Sequence, residues 1–286
     1  MFKTILITGS NKGIGYQLSK YFIKKDFNII LCARNKKKLI QVEKKLLKLK
    51  KKKQKIISYK LDISSEKQIN LFLNKIFKKF KKIDVLINCA GIYGPKGQFE
   101  KLSWNKWKEV IKINLLGSIY LIKKIIPYFK KQKKGNIIQF AGGGAASSFP
   151  FFTAYSTSKV AIVRFIENIA IEQKKNNISL NCIAPGPLNT RMLDEVLKAG
   201  PDKVGKVFYK KSILQKKNGG TDFNKINKLV EFLCDEKNNF ITGKLISAQW
   251  DNWEKFKFNK NKLINSDIGT LRRIAGRDRN MKFFDK

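Results

Sequence analysis

The sequence contains no histidine among its 286 residues. That absence removes Ser-His-Asp and Cys-His mechanisms and the commonest zinc sites. Acid–base chemistry must come from Tyr, Lys, Asp, Glu, Ser or Cys, and no metal is expected. Cysteine is scarce: Cys32, Cys89, Cys182 and Cys234 form no CxxC pair and sit in apolar surroundings, which reads as buried, reduced thiols. No apolar run approaches the roughly 18–20 residues that cross a bilayer. The opening MFKTILITGS lacks the basic n-region of a signal peptide, so the chain reads as soluble and cytoplasmic. Acidic residues are few, 21 against 61 basic ones, for a formal net charge of +40. Charge alone suggests nucleic acid or an anionic surface. The excess is lysine, however, beside abundant Ile, Asn and Phe, all with A/T-rich codons, so base bias explains it without a partner. The densest run, KKLLKLKKKKQK at 44–55, reads as the solvated end of an amphipathic helix. It has no interleaved aromatics on which single strands would stack. A nucleic-acid binder on this fold stays open as an alternative, and a positive field favours anionic ligands in any case.

What is present is an alternation. KTILITG, FNIILCA, KIISYKLD, IDVLINCAG, GNIIQFAG, ISLNCIAPG and GKLISAQ read as strands. Helical spacing separates them: GYQLSKYFIKK, residues 36–50, EKQINLFLNKIFKKF, the long stretch 104–131, 153–175 and 222–235. Residues 191–221 read as polar and irregular. Strands separated by helices mean βαβ units, and right-handed crossovers make them an α/β fold: a single-domain, three-layer, doubly wound parallel sheet of Rossmann type. Ligands bind such sheets at the carboxyl ends of the strands. Those ends carry TGSNKGIG, ARN, LDIS, NCAG, AGGG and APGP.

TGSNKGIG spans Thr8 to Gly15, with Gly9, Asn11, Lys12, Gly13, Ile14 and Gly15 between strand and helix. Its glycines allow a tight turn and close approach to a pyrophosphate, and the helix N-terminus adds N–H groups and a positive dipole. NAD sites usually place an acid after the second strand to hold the ribose hydroxyls. Here that place holds Arg34, with no acid nearby, and Lys12 adds a second cation. The pair suits a 2′-phosphate, so NADP(H) is favoured over NAD(H).

YSTSK puts Tyr155 and Lys159 at i and i+4, on one helix face. An ammonium beside a phenol lowers the phenol pKa from about 10 towards the working range. The motifs TGxxxGIG (8–15), NCAG (88–91), Asn114, YxxxK (155–159) and PGPLNT (185–190) occur in the order and spacing of the short-chain dehydrogenase/reductase family, which residues 3 to 250 resemble. The resemblance implies NADP(H)-dependent interconversion of a carbonyl and a secondary alcohol by hydride transfer. Tyr155 would be the acid/base, Lys159 its partner and a ligand of the nicotinamide ribose, and Asn114 the anchor of a water in the proton relay. Asp62, with Ile63 beside it, would contact the adenine. Asn88, Ala90 and Gly91 would support the sheet and the adenosine ribose. Pro185, Gly186 and the loop to Thr190 would cover the nicotinamide. A homodimer or homotetramer through the helices at 104–131 and 153–175 is the family's habit, with no membrane partner.

One family position departs. The serine expected after the fifth strand is Gly142, and no hydroxyl occupies 140–146. Three accounts stand open. Ser147, Ser148 or the N–H groups of Gly142 and Gly143 could replace the donor; the enzyme could be weakened; or cofactor binding could survive without turnover, as in a regulator or scaffold. The loop at 191–221 is expected to form an adjustable polar pocket in which Arg191 meets an anionic group, as on a sugar nucleotide or a carrier-bound 3-oxoacyl chain. Residues 251–286 read as a C-terminal extension to a domain ending near 250, with Trp250 and Trp253 over the site, at a subunit contact or in ordinary packing.

Overall fold

Strand β1 (Thr4–Thr8) alternates its apolar side chains between two sides: Ile5 and Ile7 enter one cluster and Leu6 the other. The same split along each strand, period two, makes a sheet that buries both faces. In the computed structural model, which describes residues 2–281, the strands are β1, β2 (Asn28–Ala33), β3 (Ile56–Lys60), β4 (Val85–Asn88), β5 (Gly135–Phe140), β6 (Ile178–Ala184) and β7 (Leu245–Ser247). All pairs are parallel, in the order β3-β2-β1-β4-β5-β6-β7. The order reverses at β1, and a crevice opens there between the β1 and β4 ends.

On one face pack α1 (Gly13–Lys24), α2 (Lys36–Leu47) and α10 (Phe223–Cys234); on the other, α3 (Glu66–Lys79), α5 (Ser118–Lys131) and α6 (Thr153–Gln173). Asn35 and Ser65 cap α2 and α3 through their side chains, as the sequence pattern favours. The stretch expected as one helix over 104–131 is interrupted. It runs as α4 (Trp104–Val110), a π-helical segment over Ile111–Gly117, and then α5. Such widened turns recur at functional sites, and this one carries Asn114.

Residues 191–218, expected to be irregular, form three helices: α7 (Arg191–Ala199), α8 (Pro201–Val204) and α9 (Lys206–Asn218). Thr190 caps α7, accepting from Met192 N. The segments are short because Gly200, Gly205 and Gly219 stop them at φ of +80°, +83° and +89°, conformations natural to glycine.

Past β7 the chain does not leave the sheet. Trp253 is 7% exposed and joins the α10 side of the core against Phe232, with ring centroids 5.5 Å apart. Trp250 is 72% exposed. After α11 (Lys260–Ile264) the chain returns along the sheet edge, where Leu245 N donates to Gly269 O at 2.7 Å. Glu167 on α6 accepts from Leu271 N at 2.7 Å, and Arg164 donates to Leu271 O. The edge strand is thereby partly covered by its own chain. Residues 282–286 of the expected extension lie outside the described residues. Among the described residues no helix is long and apolar enough to cross a membrane.

Candidate functional site

The cradle at the crevice is built by exclusion. A Cβ on Gly9 would stand 2.9 Å from the Ala90 backbone, and one on Gly15 2.7 Å from Gly9 O. The turn after β1 therefore meets the chain just past β4 and the first turn of α1 backbone to backbone. Thr8 Oγ1 fixes that meeting, accepting from Cys89 N and Ala90 N at 3.1 Å each. No side chain caps α1 at Lys12, and no acid lies in its first turn. Its leading N–H groups and dipole are left for an anion, the arrangement a pyrophosphate needs. Asn11 and Ile14 lie on this turn, both partly buried.

Four cations from four elements converge beside it. The Lys12 ammonium is held below the usual lysine range, first by loss of water around it and then by Arg191, with Lys38 and Arg34 adding to the effect against Glu195. Arg34, just past β2, keeps only a loose contact with Glu109, at 3.9 Å. Lys38 was not singled out in the sequence. Nothing distinguishes it there from its many lysine neighbours until α2 folds back towards Lys12. Arg191 pairs with Glu195 at 3.0 Å in an exposed contact one turn apart on α7.

The adjoining loops are tied as supports. Asp62 Oδ1 accepts from Ser64 N and Ser64 Oγ at 3.0 and 2.7 Å, closing the turn after β3, while Ile63 is buried beside it. Asn88 is buried, its Oδ1 3.5 Å from Thr8 Oγ1 and its Nδ2 unpartnered. Pro185 and Gly186 begin a loop that ends at Thr190, whose methyl faces Gly13 at 4.0 Å from a built Cβ. Thr221 braces this loop, its N donating to Pro187 O at 2.6 Å. The Thr221 hydroxyl is buried against Gly186 without a partner, a feature only the fold reveals.

Tyr155 and Lys159 share the inner face of α6, 7% and 5% exposed. Lys159 Nζ donates to Phe140 O at 2.9 Å and lies 5.5 Å from the Tyr155 ring centre. Burial holds Lys159 down at about 8, against partial opposition from Cys182 and Cys89. Burial also pushes the Tyr155 phenol up, with Tyr93 adding to it. Burial thus favours the neutral phenol over the phenolate. The depressed phenol expected from the neighbouring lysine is not found, because Lys159 turns to a carbonyl and desolvation dominates. Asn114 spends its amide on structure: Nδ2 donates to Ile92 O at 2.9 Å and Ser158 Oγ at 3.1 Å, and Oδ1 accepts from Ile92 N at 2.9 Å. It thus pins the loop after β4 to the helix of Tyr155, beside Gly91, where a Cβ would lie 3.8 Å from Lys159 Nζ.

Gly142 is glycine for want of space. Its backbone is extended, φ 174° and ψ 175°, which any residue adopts. A Cβ there would overlap the Tyr155 hydroxyl and lie 3.1 Å from Tyr155 Cζ. The phenol occupies the room that a serine side chain would take. Around a Cβ on Gly143 there is open space. Ser147 is not brought to the phenol. Its Oγ donates to Gly143 O at 3.1 Å, and with Ser148 it lines an open cavity of about 700 Å³ against Thr157 and Val160, on the outer side of α6.

The expected polar substrate pocket is corrected by the structure. The lysines of α9 face solvent, while Val196, Val204, Phe208 and Met192 turn inward onto Phe149, Phe152 and Tyr155. The sequence hid this because the aromatics come from four separated segments.

The model of the short chain dehydrogenase family matches residues 3–200. An uncharacterized oxidoreductase of Staphylococcus saprophyticus is 30% identical over 196 residues, 68% of this chain and 77% of that protein. Two solved structures align over most of both chains. ElxO with NADP bound is 28% identical at a TM-score of 0.73, covering 87% of this chain and 97% of the other. An NAD+-bound xylitol dehydrogenase is 26% identical at a TM-score of 0.77, covering 86% and 96%. Both dinucleotides thus occur among similar proteins. With the crevice, the uncapped α1 and the Tyr155–Lys159 pair in register, this chain belongs to the short-chain dehydrogenase family and is an NAD(P)-dependent oxidoreductase.

Proposed function

We propose that this enzyme reduces a ketone with NADPH, using Tyr155 as the proton donor. The observation that carries the reading is the Tyr155 phenol, buried over Gly142 with Lys159 on the same helix face. The residues present fit a phosphorylated dinucleotide. Gly9 and Gly15 clear the cradle, α1 offers its unpaired N–H groups, and Lys12, Arg34 and Lys38 supply positive charge where a 2′-phosphate would lie. When bound, the nicotinamide supplies the hydride. Tyr155 would give its proton to the oxygen of the carbonyl that accepts this hydride, so that a secondary alcohol results. Lys159, charged below about 8, opposes the negative charge left on Tyr155. Asn114 holds the loop and helix that carry these groups in register, and Thr190, Pro185 and Gly186 close the cofactor side. The proposed roles of Asp62, Ile63, Asn88, Ala90 and Gly91 are to shape the adenosine end.

Fluorescence titration with NADPH and NADH, followed by turnover on a panel of ketones, tests the reading. Tighter binding of NADPH by an order of magnitude or more and turnover lost in Tyr155→Phe are expected. Equal binding of the two cofactors, or full turnover in Tyr155→Phe, would count against it.

A further inference from the structure

Apart from the two clusters that flank the sheet, a third surrounds the proposed proton donor, and it is aromatic. Tyr93, after β4, sets its ring edge-on to Tyr155 at 4.7 Å and to Phe152 at 5.2 Å. Phe149 lies parallel on Phe152, with centroids 4.3 Å and planes 3° apart. Phe208, from α9, stands nearly perpendicular to both, 5.0 Å from Phe149 and 5.5 Å from Phe152. Edge-to-face geometry of this kind selects a ring over a saturated group of the same size. Phe208 thus covers the Phe149–Phe152 pair, and Phe149 in turn lies 6.3 Å from the Tyr155 ring, so the ground next to the reactive phenol is covered by a ring of the chain itself.

The element that brings Phe208 is tied near its C-terminal end by exposed contacts, Lys216 Nζ to Asp194 Oδ1 at 2.7 Å and Gln215 Nε2 to Asn189 Oδ1 at 3.3 Å. Within α9 Ser212 is the buried residue, while Val207, Ile213 and Leu214 are exposed. Its ends are Gly205 and Gly219, both at positive φ, where glycine alone moves freely between backbone regions. Outward movement of this helix breaks those exposed contacts and the Phe208 packing but leaves the two clusters that flank the sheet intact.

We propose that Phe208 is a placeholder for the substrate, and that the site takes an aryl ketone. The aryl ring replaces that of Phe208 against Phe149 and Phe152 when α9 moves out, and the carbonyl meets the Tyr155 hydroxyl. The inference rests on the reductase reading above and names its substrate class. It favours an apolar over a sugar-like substrate, since Val196, Val204 and Phe208 turn carbon towards this cluster.

The test uses the full chain with NADPH and three ketones: acetophenone, cyclohexyl methyl ketone of nearly equal size, and hydroxyacetone. Each edge-to-face contact is worth a factor of about 2 to 12, so two contacts predict kcat/KM about tenfold or more higher for acetophenone than for its saturated counterpart. Phe149→Leu is expected to lower that ratio by about 2- to 12-fold, the worth of the one contact it removes. Phe208→Ala is expected to lower KM for acetophenone severalfold without raising kcat, because no ring has to be displaced; Phe208→Leu serves the same purpose if the alanine chain fails to fold. Hydroxyacetone reduced as well as acetophenone, an aryl-to-cyclohexyl ratio of one in the unmodified enzyme, an unchanged ratio in Phe149→Leu or a raised KM in the Phe208 variant overturns the proposal. Reduction of an aldose or a 3-oxoacyl thioester with all three ketones inert overturns it while the reductase reading stands. No turnover of any carbonyl, with NADPH bound, overturns both.

Discussion

Replacing Gly142 by serine installs the hydroxyl that the family resemblance leads one to expect there, and the structure predicts that it damages the enzyme. With φ 174° and ψ 175° the backbone accepts any side chain, so only space decides. A Cβ would overlap the Tyr155 hydroxyl and stand 3.1 and 3.3 Å from Cζ and Cε1. To reach ordinary van der Waals separation the phenol must retreat by more than about 1 Å. Tyr93 at 4.7 Å and Phe149 at 6.3 Å stand beside the ring and leave it little room. A displacement of that size at a reacting group costs about 10²-fold in rate, and forcing a side chain into a packed site costs about 1–3 kcal/mol, or a fall of roughly 2–10 °C in Tm. Gly142→Ala should do the same, because the Cβ and not the hydroxyl is at fault. Gly143→Ala, next to it with open space, should be near neutral and is the control. The assay is steady-state NADPH oxidation beside a thermal melt. If Gly142 merely lacked a donor, the serine would instead raise the rate by about 10²–10³. A faster Gly142→Ser enzyme with unchanged Tm would refute the steric reasoning.

Further outcomes follow from the same geometry. Arg34→Ala should weaken NADPH about 10- to 100-fold, the worth of a hydrogen bond to a charged group, and leave NADH within twofold, as fluorescence titration would read. The kcat/KM of ketone reduction should fall as pH rises through about 8, where Lys159 loses its charge; a flat profile to pH 10 would contradict that role. The same burial has a stability consequence of opposite sign. Between about 8 and 10.5 the unfolded chain keeps the Lys159 proton and the folded one does not, so this residue's contribution to stability rises across that window by about 3 kcal/mol. Denaturant titrations should show that increment missing in Lys159→Met. Trp253→Ala should cost about 3–5 kcal/mol through the cavity left against Phe232, measured by the same titrations, whereas Trp250→Ala should cost almost nothing.

The sheet was legible because each strand ends in a small or polar cluster and each helix between them keeps its 3.6 period. The cofactor loop was legible for a local reason: a turn, a helix start and three glycines lie within eight residues. Asn114 could be named, but not the widened turn that holds it, because π and α turns ask for the same residue types. The helices of 191–218 escaped because their apolar residues are sparse among lysines, and their inward faces are defined only by Phe149, Phe151 and Phe152 across from them. Gly142 stood out as a missing hydroxyl. Its reason, a phenol from thirteen residues further on filling the Cβ position, is a tertiary fact that sequence spacing does not carry. Tyr155 was expected to titrate low beside Lys159, and burial reverses the direction.

In the proposed reaction Tyr155 gives its proton to a ketone oxygen while NADPH is held independently of it. This is tested most directly by comparing the unmodified enzyme with Tyr155→Phe, measuring NADPH affinity and single-turnover ketone reduction on the same samples. The account predicts affinity within about twofold and a rate lower by at least the 10²–10⁴-fold that a positioned acid contributes. Retention of the rate in Tyr155→Phe would contradict it.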